Sequence, residues 1–482
     1  MPLFFQIKTV FIGLFFSCYQ FVHLRGAGEG FDKWPHCVHY ERVKYPHTPI
    51  KTKAVLKIFR FADDPDALMA HLSRTVSFDE GVQKAVDEIL LEVRQRGDEA
   101  VLDYTERFQG VRPESMKVAP EAIRRAREEA DPEFISVLQE AYDNILEFHR
   151  HEVEKSFFYE GEGGVLLGQR VTPMQRALLY VPGGKAAYPS SVLMNAAPAH
   201  VAGVGDIAMT TPCDSTGEVS SHILAAASVA GISSVYKLGG AQAIAAFAYG
   251  TESIGKVDII TGPGNKFVAL AKKEVFGHVA IDSIAGPSEV VIIADADANA
   301  DYIVLDMFAQ AEHDADASSV LITTSALLAE RVVALTEKRI GGMLRREVIE
   351  SSLRQNGAIV LVGSLEEAAR VSDMLAPEHL ELHVEHPWEL LPSLHHAGAI
   401  FMGSSSCETV GDYYAGPNHT LPTNGTARFF SPLSVRDFVK HTSIIAYSQQ
   451  QLLRCGERIA SFADREGLQA HAEAVRIRLG GR

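Results

Sequence analysis

Between residues 68 and 151 the apolar side chains recur at three- and four-residue spacing. The pattern runs through "FDEGVQKAVDEILLEVRQRGDEAVLDYTERF" and again through "APEAIRRAREEADPEFISVLQEAYDNILEFHRHE". One apolar stripe per segment is what an amphipathic helix buries, so this stretch predicts a helical N-terminal lobe. At Arg176 the texture changes. Short runs that are apolar at nearly every position, "ALLYVPGG", "DIAMTTP", "SVYKLGG" and "VDIITGPG", alternate with small-residue-rich helical patterns. Such runs mark strands buried on both faces, and the helices between them supply the crossovers of a parallel sheet. A second round follows in "EVVIIAD", "SSVLITTS", "GAIVLVGS", "LELHV" and "AIFMG". The chain therefore reads as an α/β protein: two tandem Rossmann-like, doubly wound domains behind a helical lobe, joined near residues 281–288. From Ser404 the pattern lapses into a polar, glycine-rich stretch, and "DREGLQAHAEAVRIRL" closes the chain as a short helix. The expected divisions are 55–175 for the lobe, 176–287 and 288–403 for the α/β domains, and 404–482 for a small C-terminal segment.

Residues 1–54 do not continue any of these patterns. Residues 9–22, "TVFIGLFFSCYQFV", are apolar but too short to span a bilayer as an untilted helix. Lys8 is the lone basic residue just ahead of them, and no clear A-x-A cleavage site follows. A start assigned too far upstream, a disordered extension and an export signal stay open. The first is preferred, because a convincing domain opens near Val55 with "VLKIFRFADDPDALMAHL".

Composition narrows the function. The 482 residues are 46% hydrophobic and 22% charged, with a formal net charge of −16. That balance fits a globular protein with two or three cored domains. It argues against general affinity for nucleic acid or anionic membrane, either of which needs a basic face. The five cysteines, Cys18, Cys37, Cys213, Cys407 and Cys455, form no C-x-x-C pair. Neither a disulfide framework nor a thiolate zinc site is indicated, and a reducing cytoplasm is expected.

Three stretches carry candidate chemistry. "FAQAEHDADASSV", residues 308–320, crowds a glutamine, a glutamate, a histidine and two aspartates. It reads either as a solvated helix end or as a set of metal ligands. Gln310 and His313 lie three apart near the end of a helical pattern and can share one face; Asp314 and Asp316 read as solvated charges or a cap. "APEHLEL" places Glu378 and His379 between a helix and a strand, as a capped loop or as an acid–base pair. "YVPGG", "LGGAQA" and "TGPGN" are glycine-rich strand ends. They make tight turns, or they let backbone and helix N-termini approach a phosphate. No G-x-G-x-x-G fingerprint accompanies them.

Seven segments in order resemble the histidinol dehydrogenase family: "LYVPGGKAAYPSSVLMNAAPA", "TGPGNKFVALAKKEVFG", "DSIAGPSEVVIIAD", "AQAEHDADASSVLIT", "APEHLEL", "GDYYAGPNHTLPT" and "EGLQAHAEAV". The resemblance covers the chain from Val55 onward. It implies a zinc- and NAD-dependent enzyme that oxidises L-histidinol to L-histidine through L-histidinal, reducing two NAD+ per turnover. It implies one zinc per subunit held by Gln310, His313, Asp412 and His471. Glu378 and His379 become the proton acceptors, and Tyr180, Gln242 and Asn265 become NAD contacts. Substrate contacts fall on Ser288, Gln310, His313, His379, Asp412, His419, Glu466 and His471. A homodimer with shared active sites is implied as well. The alternative is a relative that uses the same scaffold on another diol, such as sulfopropanediol; Glu466 and His419 favour histidinol.

Overall fold

Aliphatic and β-branched runs become strands where the pattern predicts them. The computed structural model describes residues 55–72, 78–183 and 187–480; the expected extension 1–54, with its apolar run 9–22, lies outside these. β1 (Lys57–Arg60) is followed by a helix at Pro65–Leu72. The predicted helices come next, Glu80–Arg96, Asp98–Gln109, Pro120–Glu129 and Pro132–Arg150. Asp79 and Asp131 cap two of them by accepting backbone N–H groups, which satisfies donors left open in the first turn.

β2 (Phe157–Gly161) and β3 (Val165–Pro173) precede the first parallel sheet. That sheet contains β4 (Arg176–Tyr180), β5 (Asp206–Thr210), β6 (Ser234–Tyr236), β7 (Ile259–Thr261) and β8 (Ala280–Ile281), in the order β6-β5-β4-β7-β8. The second contains β9 (Glu289–Ala294), β10 (Ser318–Thr323), β11 (Ala358–Leu361), β12 (His379–His383) and β13 (Ala399–Met402). Its order is β1-β11-β10-β9-β12-β13, parallel throughout. Along β4, Ala177 and Leu179 enter one core while Leu178 and Tyr180 enter the core on the opposite face. β9 does the same with Val290 and Ile292 against Val291 and Ile293. Both sheets are thus covered on both sides. Each Leu or Ile sealed there contributes about 1.5–3 kcal/mol.

Three expectations need correction. Residues 55–72 are not part of a helical lobe: β1 pairs with β11, and Leu68 and Leu72 join the core around Val291, Val320 and Leu380. Residues 157–173 are strands rather than helix, and β14 (Val439–Ala446) pairs antiparallel with β3 to give a small sheet β14-β3-β2. β2 is almost entirely exposed, and its short aromatic run "FFY" shows no alternation of buried and solvent-facing positions. The C-terminal helix is two helices, Gln449–Arg465 and Gln469–Leu479, broken where Gly467 takes φ 76°. Among the described residues no helix is long and apolar enough to cross a membrane.

Candidate active site

The helix Leu365–Leu375 ends on Ala376 in the left-handed conformation, φ 49°, whose N–H donates to the Ser372 carbonyl. Pro377 then forbids helical continuation, and the chain is delivered into β12 with Glu378 and His379 at its amino end. Residues at that end lie beside the start of β9, not at the carboxyl edge where α/β sheets usually hold ligands. Glu289, the first residue of β9, holds both. Its N–H donates to Glu378 Oε2 at 2.9 Å, and its carbonyl accepts from His379 Nδ1 at 3.1 Å. A carbonyl can only accept, so Nδ1 carries a proton, and in the neutral ring the lone pair falls on Nε2. Nε2 is buried and has no hydrogen-bond partner among the described residues; Asp412 Oδ1, at 3.8 Å, is too distant to be one.

Electrostatics distinguish the two groups. Burial pushes the Glu378 carboxyl up to about 8, against the pull of His379. Burial alone would lower His379, but the carboxylates of Glu408, Glu378 and Asp412 outweigh it and hold the imidazolium well above its ordinary value. These carboxylates around one buried ring leave the cleft short of positive charge, which is the setting in which a cation is stabilising.

Gln310 sits fully buried in the last turn of the helix Ala300–Ala311. Its amide nitrogen faces Glu408, since the reverse assignment would oppose acceptor to acceptor, and donates to Oε1 at 3.0 Å and Oε2 at 3.1 Å. His313 follows the end of that helix and keeps an exposed edge. His313, Glu408 and Asp412 bring ligand atoms within 4.8 Å of one another. Burial lowers His313 and His419 below their ordinary values and so favours the neutral imidazole that can donate to a metal. Burial would raise Asp412, but His379, His419 and His313 hold it down. His419 Nδ1 donates to the Asp412 carbonyl at 3.0 Å, with Oδ1 3.9 Å away. Neutral nitrogens, an ionised carboxylate and an amide oxygen make a donor set that fits a borderline divalent ion. Ser288 immediately precedes Glu289, and its carbonyl accepts from the Ser318 N–H at 3.0 Å.

The NAD candidates lie at the carboxyl edge of the first sheet. Strand order reverses between β4 and β7, the switch point where such sheets bind ligands. Tyr180 ends β4, and its hydroxyl accepts from the Gly240 N–H at 3.1 Å. Gln242 is fully buried with neither amide atom partnered among the described residues; Thr211 and Thr261 hydroxyls nearby in the strand ends are likewise unpartnered. Unsatisfied buried polar groups are costly, and together they fit a polar ligand at this edge. Asn265 is exposed and caps the helix Lys266–Val275, accepting from the Phe267 and Val268 N–H groups.

Glu466 and His471 are not brought to this cluster. Both are exposed on the C-terminal helix pair, and His471 is absent from the converging ligand group. Conversely, Glu408 is central yet was not among the sequence candidates. Its signal was available: Glu408 and Asp412 are four apart on one helical turn and share a face. A second group, Asp306, Glu381 and His383, also escaped notice. His379, Glu381 and His383 alternate along β12, and His383 Nε2 lies 3.3 Å from Glu381 Oε2 and 3.6 Å from Asp306 Oδ2. Burial, reinforced by Glu381, lifts Asp306 to about 7.

With this geometry in hand, similarity to known proteins is specific. A sequence model of the family described as histidinol dehydrogenase matches residues 72–479. A histidinol dehydrogenase from Chlorobium luteolum is 75% identical over 426 residues, covering 88% of this chain and 96% of the relative. One from Chlorobaculum tepidum is 71% identical over 425 residues, covering 88% and 99%. The crystal structure of histidinol dehydrogenase from Elizabethkingia anophelis superposes with a TM-score of 0.84 at 34% identity, covering 88% of this chain and 98% of that one.

Proposed function

Because this chain belongs to the histidinol dehydrogenase family, we propose how its site carries out that family's chemistry. The protein is an NAD-dependent oxidoreductase that converts L-histidinol to L-histidine in histidine biosynthesis. The balance is one histidinol, two NAD+ and one water to one histidine, two NADH and three protons.

NAD+, when bound, accepts the two hydrides. A carbinol carbon gives up hydride only as its hydroxyl loses a proton, so a base must lie within hydrogen-bond reach. His379 Nε2 is that base in the neutral ring, since Nδ1–H is spent on the Glu289 carbonyl. This is the observation that carries the reading. A cation held among the surrounding carboxylates would offset the pull that keeps the ring protonated. The second oxidation needs water added to the aldehyde carbonyl. Glu378 takes the proton from that water, and the burial that lifts its carboxyl to about 8 makes its ionised form a stronger base than a solvated carboxylate.

Gln310, His313, Asp412 and His471 would hold zinc, which supplies a grip on the imidazole and amine of the substrate and so orients its far end. Ser288, His419 and Glu466 contact the substrate, Glu466 by pairing its carboxylate with a cationic or N–H group. Tyr180, Gln242 and Asn265 contact NAD. Since Glu466 and His471 stand on an exposed arm, a homodimer in which each arm completes the partner's site accounts for them. Phe157, Phe158, Ile445, Phe462 and Ile477, exposed on the small sheet and the C-terminal helices, supply apolar surface for such an interface. The free thiols of Cys213, Cys407 and Cys455 suit a reducing cytoplasm.

The test is NADH formation with purified protein. Two NADH should appear per L-histidinol, with loss on chelation, recovery with zinc, and loss in His379→Ala. Turnover of sulfopropanediol with none of histidinol would overturn the assignment.

A further inference from the structure

Beyond the residues assigned above, one buried ion pair belongs to the dinucleotide crevice. Lys272 lies on the helix Lys266–Val275, and Asp282 follows β8 at the start of the link between the two α/β domains. Their side chains are 2% and 4% exposed. The two form an ion pair, and both grip Gly262. Lys272 Nζ donates to the Gly262 carbonyl at 2.9 Å, while Asp282 Oδ2 accepts from the Gly262 N–H at 2.8 Å. Asp282 Oδ1, which meets Lys272, also accepts from the Ser283 N–H at 2.6 Å.

Gly262 is the first residue after β7, at the switch point beside β4. It takes φ 106°, and a Cβ there would stand 2.1 Å from the Tyr180 carbonyl oxygen. Both peptide groups of this glycine are therefore committed to one ion pair, and neither is left to β-ladder or solvent. Burying two full charges is costly. A stable fold alone does not call for them here, since apolar side chains of similar size would fill the same space. What the charges add is a fixed orientation of the backbone that leads from Gly262 to Asn265, alongside Tyr180 and Gly240.

We propose that Lys272 and Asp282 are positioning residues for the cofactor: they clamp the Gly262 turn so that it and Asn265 meet the dinucleotide. This rests on the reading of the crevice as the NAD site. Lys272 and Asp282 touch neither substrate nor metal in this account. Their loss acts on NAD+ alone.

The experiment titrates NAD+ calorimetrically into the full-length protein and its Lys272→Met, Asp282→Asn and Lys272→Met/Asp282→Leu variants. Melting temperature, zinc content and the KM for each substrate are measured in parallel. The expected result is NAD+ affinity weakened about tenfold or more, KM for NAD+ raised to match, and KM for histidinol and zinc content unchanged. The apolar double variant recovers the melting temperature lost in Lys272→Met but not the NAD+ affinity, and it supplies the comparison should Lys272→Met fail to fold. NAD+ affinity restored together with stability in the double variant would make the pair merely structural and overturn the proposal. Equal rises in both KM values would do the same. If unmodified protein bound no NAD+, the crevice reading itself would fall; binding in wild type with no change in the variants would sink only the clamp.

Discussion

At the scale of single residues, the chemistry comes from side chains whose environments pull them apart. Glu378 keeps its proton to about pH 8 in the folded protein, against an ordinary value of 4.5. A carboxyl raised by folding contributes stability that is complete below its unfolded value and is lost as pH climbs through the folded one. Glu378→Gln removes that dependence. Between about pH 5 and pH 9 the wild-type melting temperature should fall relative to the variant, while the variant loses roughly 100- to 10,000-fold in turnover, most severely with L-histidinal. Melting curves that stay parallel across the range would contradict the buried-acid assignment. Glu408 acts differently, by holding the Gln310 amide nitrogen and so fixing the orientation of that side chain. Glu408→Gln should weaken zinc binding about 10- to 100-fold, read by competition with a chromogenic chelator; unchanged affinity would remove Glu408 from the account. Of these residues, only Glu378 and His379 lie together in sequence. Gln310, Asp412 and His419 converge through three separate elements, which no spacing can reveal, and it was resemblance rather than periodicity that joined them.

At the scale of elements, strands buried on both faces were legible from unbroken apolar runs, as "VVIIA" in "EVVIIAD" and "VLI" in "SSVLITTS" show. β2 and β14 were not. They are antiparallel and largely exposed, and "FFYEG" places aromatic residues where neither a helical nor an alternating period appears. β1 was hidden for another reason: its partner β11 lies some three hundred residues away in the chain. The turn at Ala376 matters most for catalysis, since it aims Glu378 and His379. Its left-handed backbone is tolerable for alanine, better for glycine and strained for a β-branched residue. Ala376→Gly should change unfolding free energy by less than about 1 kcal/mol, whereas Ala376→Val should cost about 2 kcal/mol or more and depress kcat. Urea denaturation decides it, and equal stability in the two variants would show that this backbone is not a constraint.

At the scale of the whole molecule, two parallel sheets present opposite edges to the chemistry. In the proposed reading the first offers the carboxyl ends of β4 and β7 to the cofactor, and the second offers the amino ends of β9 and β12 to the substrate. The exposed C-terminal arm carries the remaining residues, Glu466 and His471. If each arm completes a partner's site, His379→Ala and His471→Ala are each inactive alone. Refolded together, they should regain about a quarter of wild-type activity, the share of sites assembled from two intact halves. No recovery would mean that each subunit is self-sufficient or that the arm is irrelevant. The central claim is that one metal ion lies where Gln310, His313 and Asp412 converge, with His379 beside it. Anomalous diffraction at the zinc edge, on crystals grown with zinc and L-histidinol, measures this directly. The account predicts one peak per subunit, bounded by Gln310, His313, Asp412 and a His471; a peak among Asp306, Glu381 and His383 instead, or none at all, would contradict it.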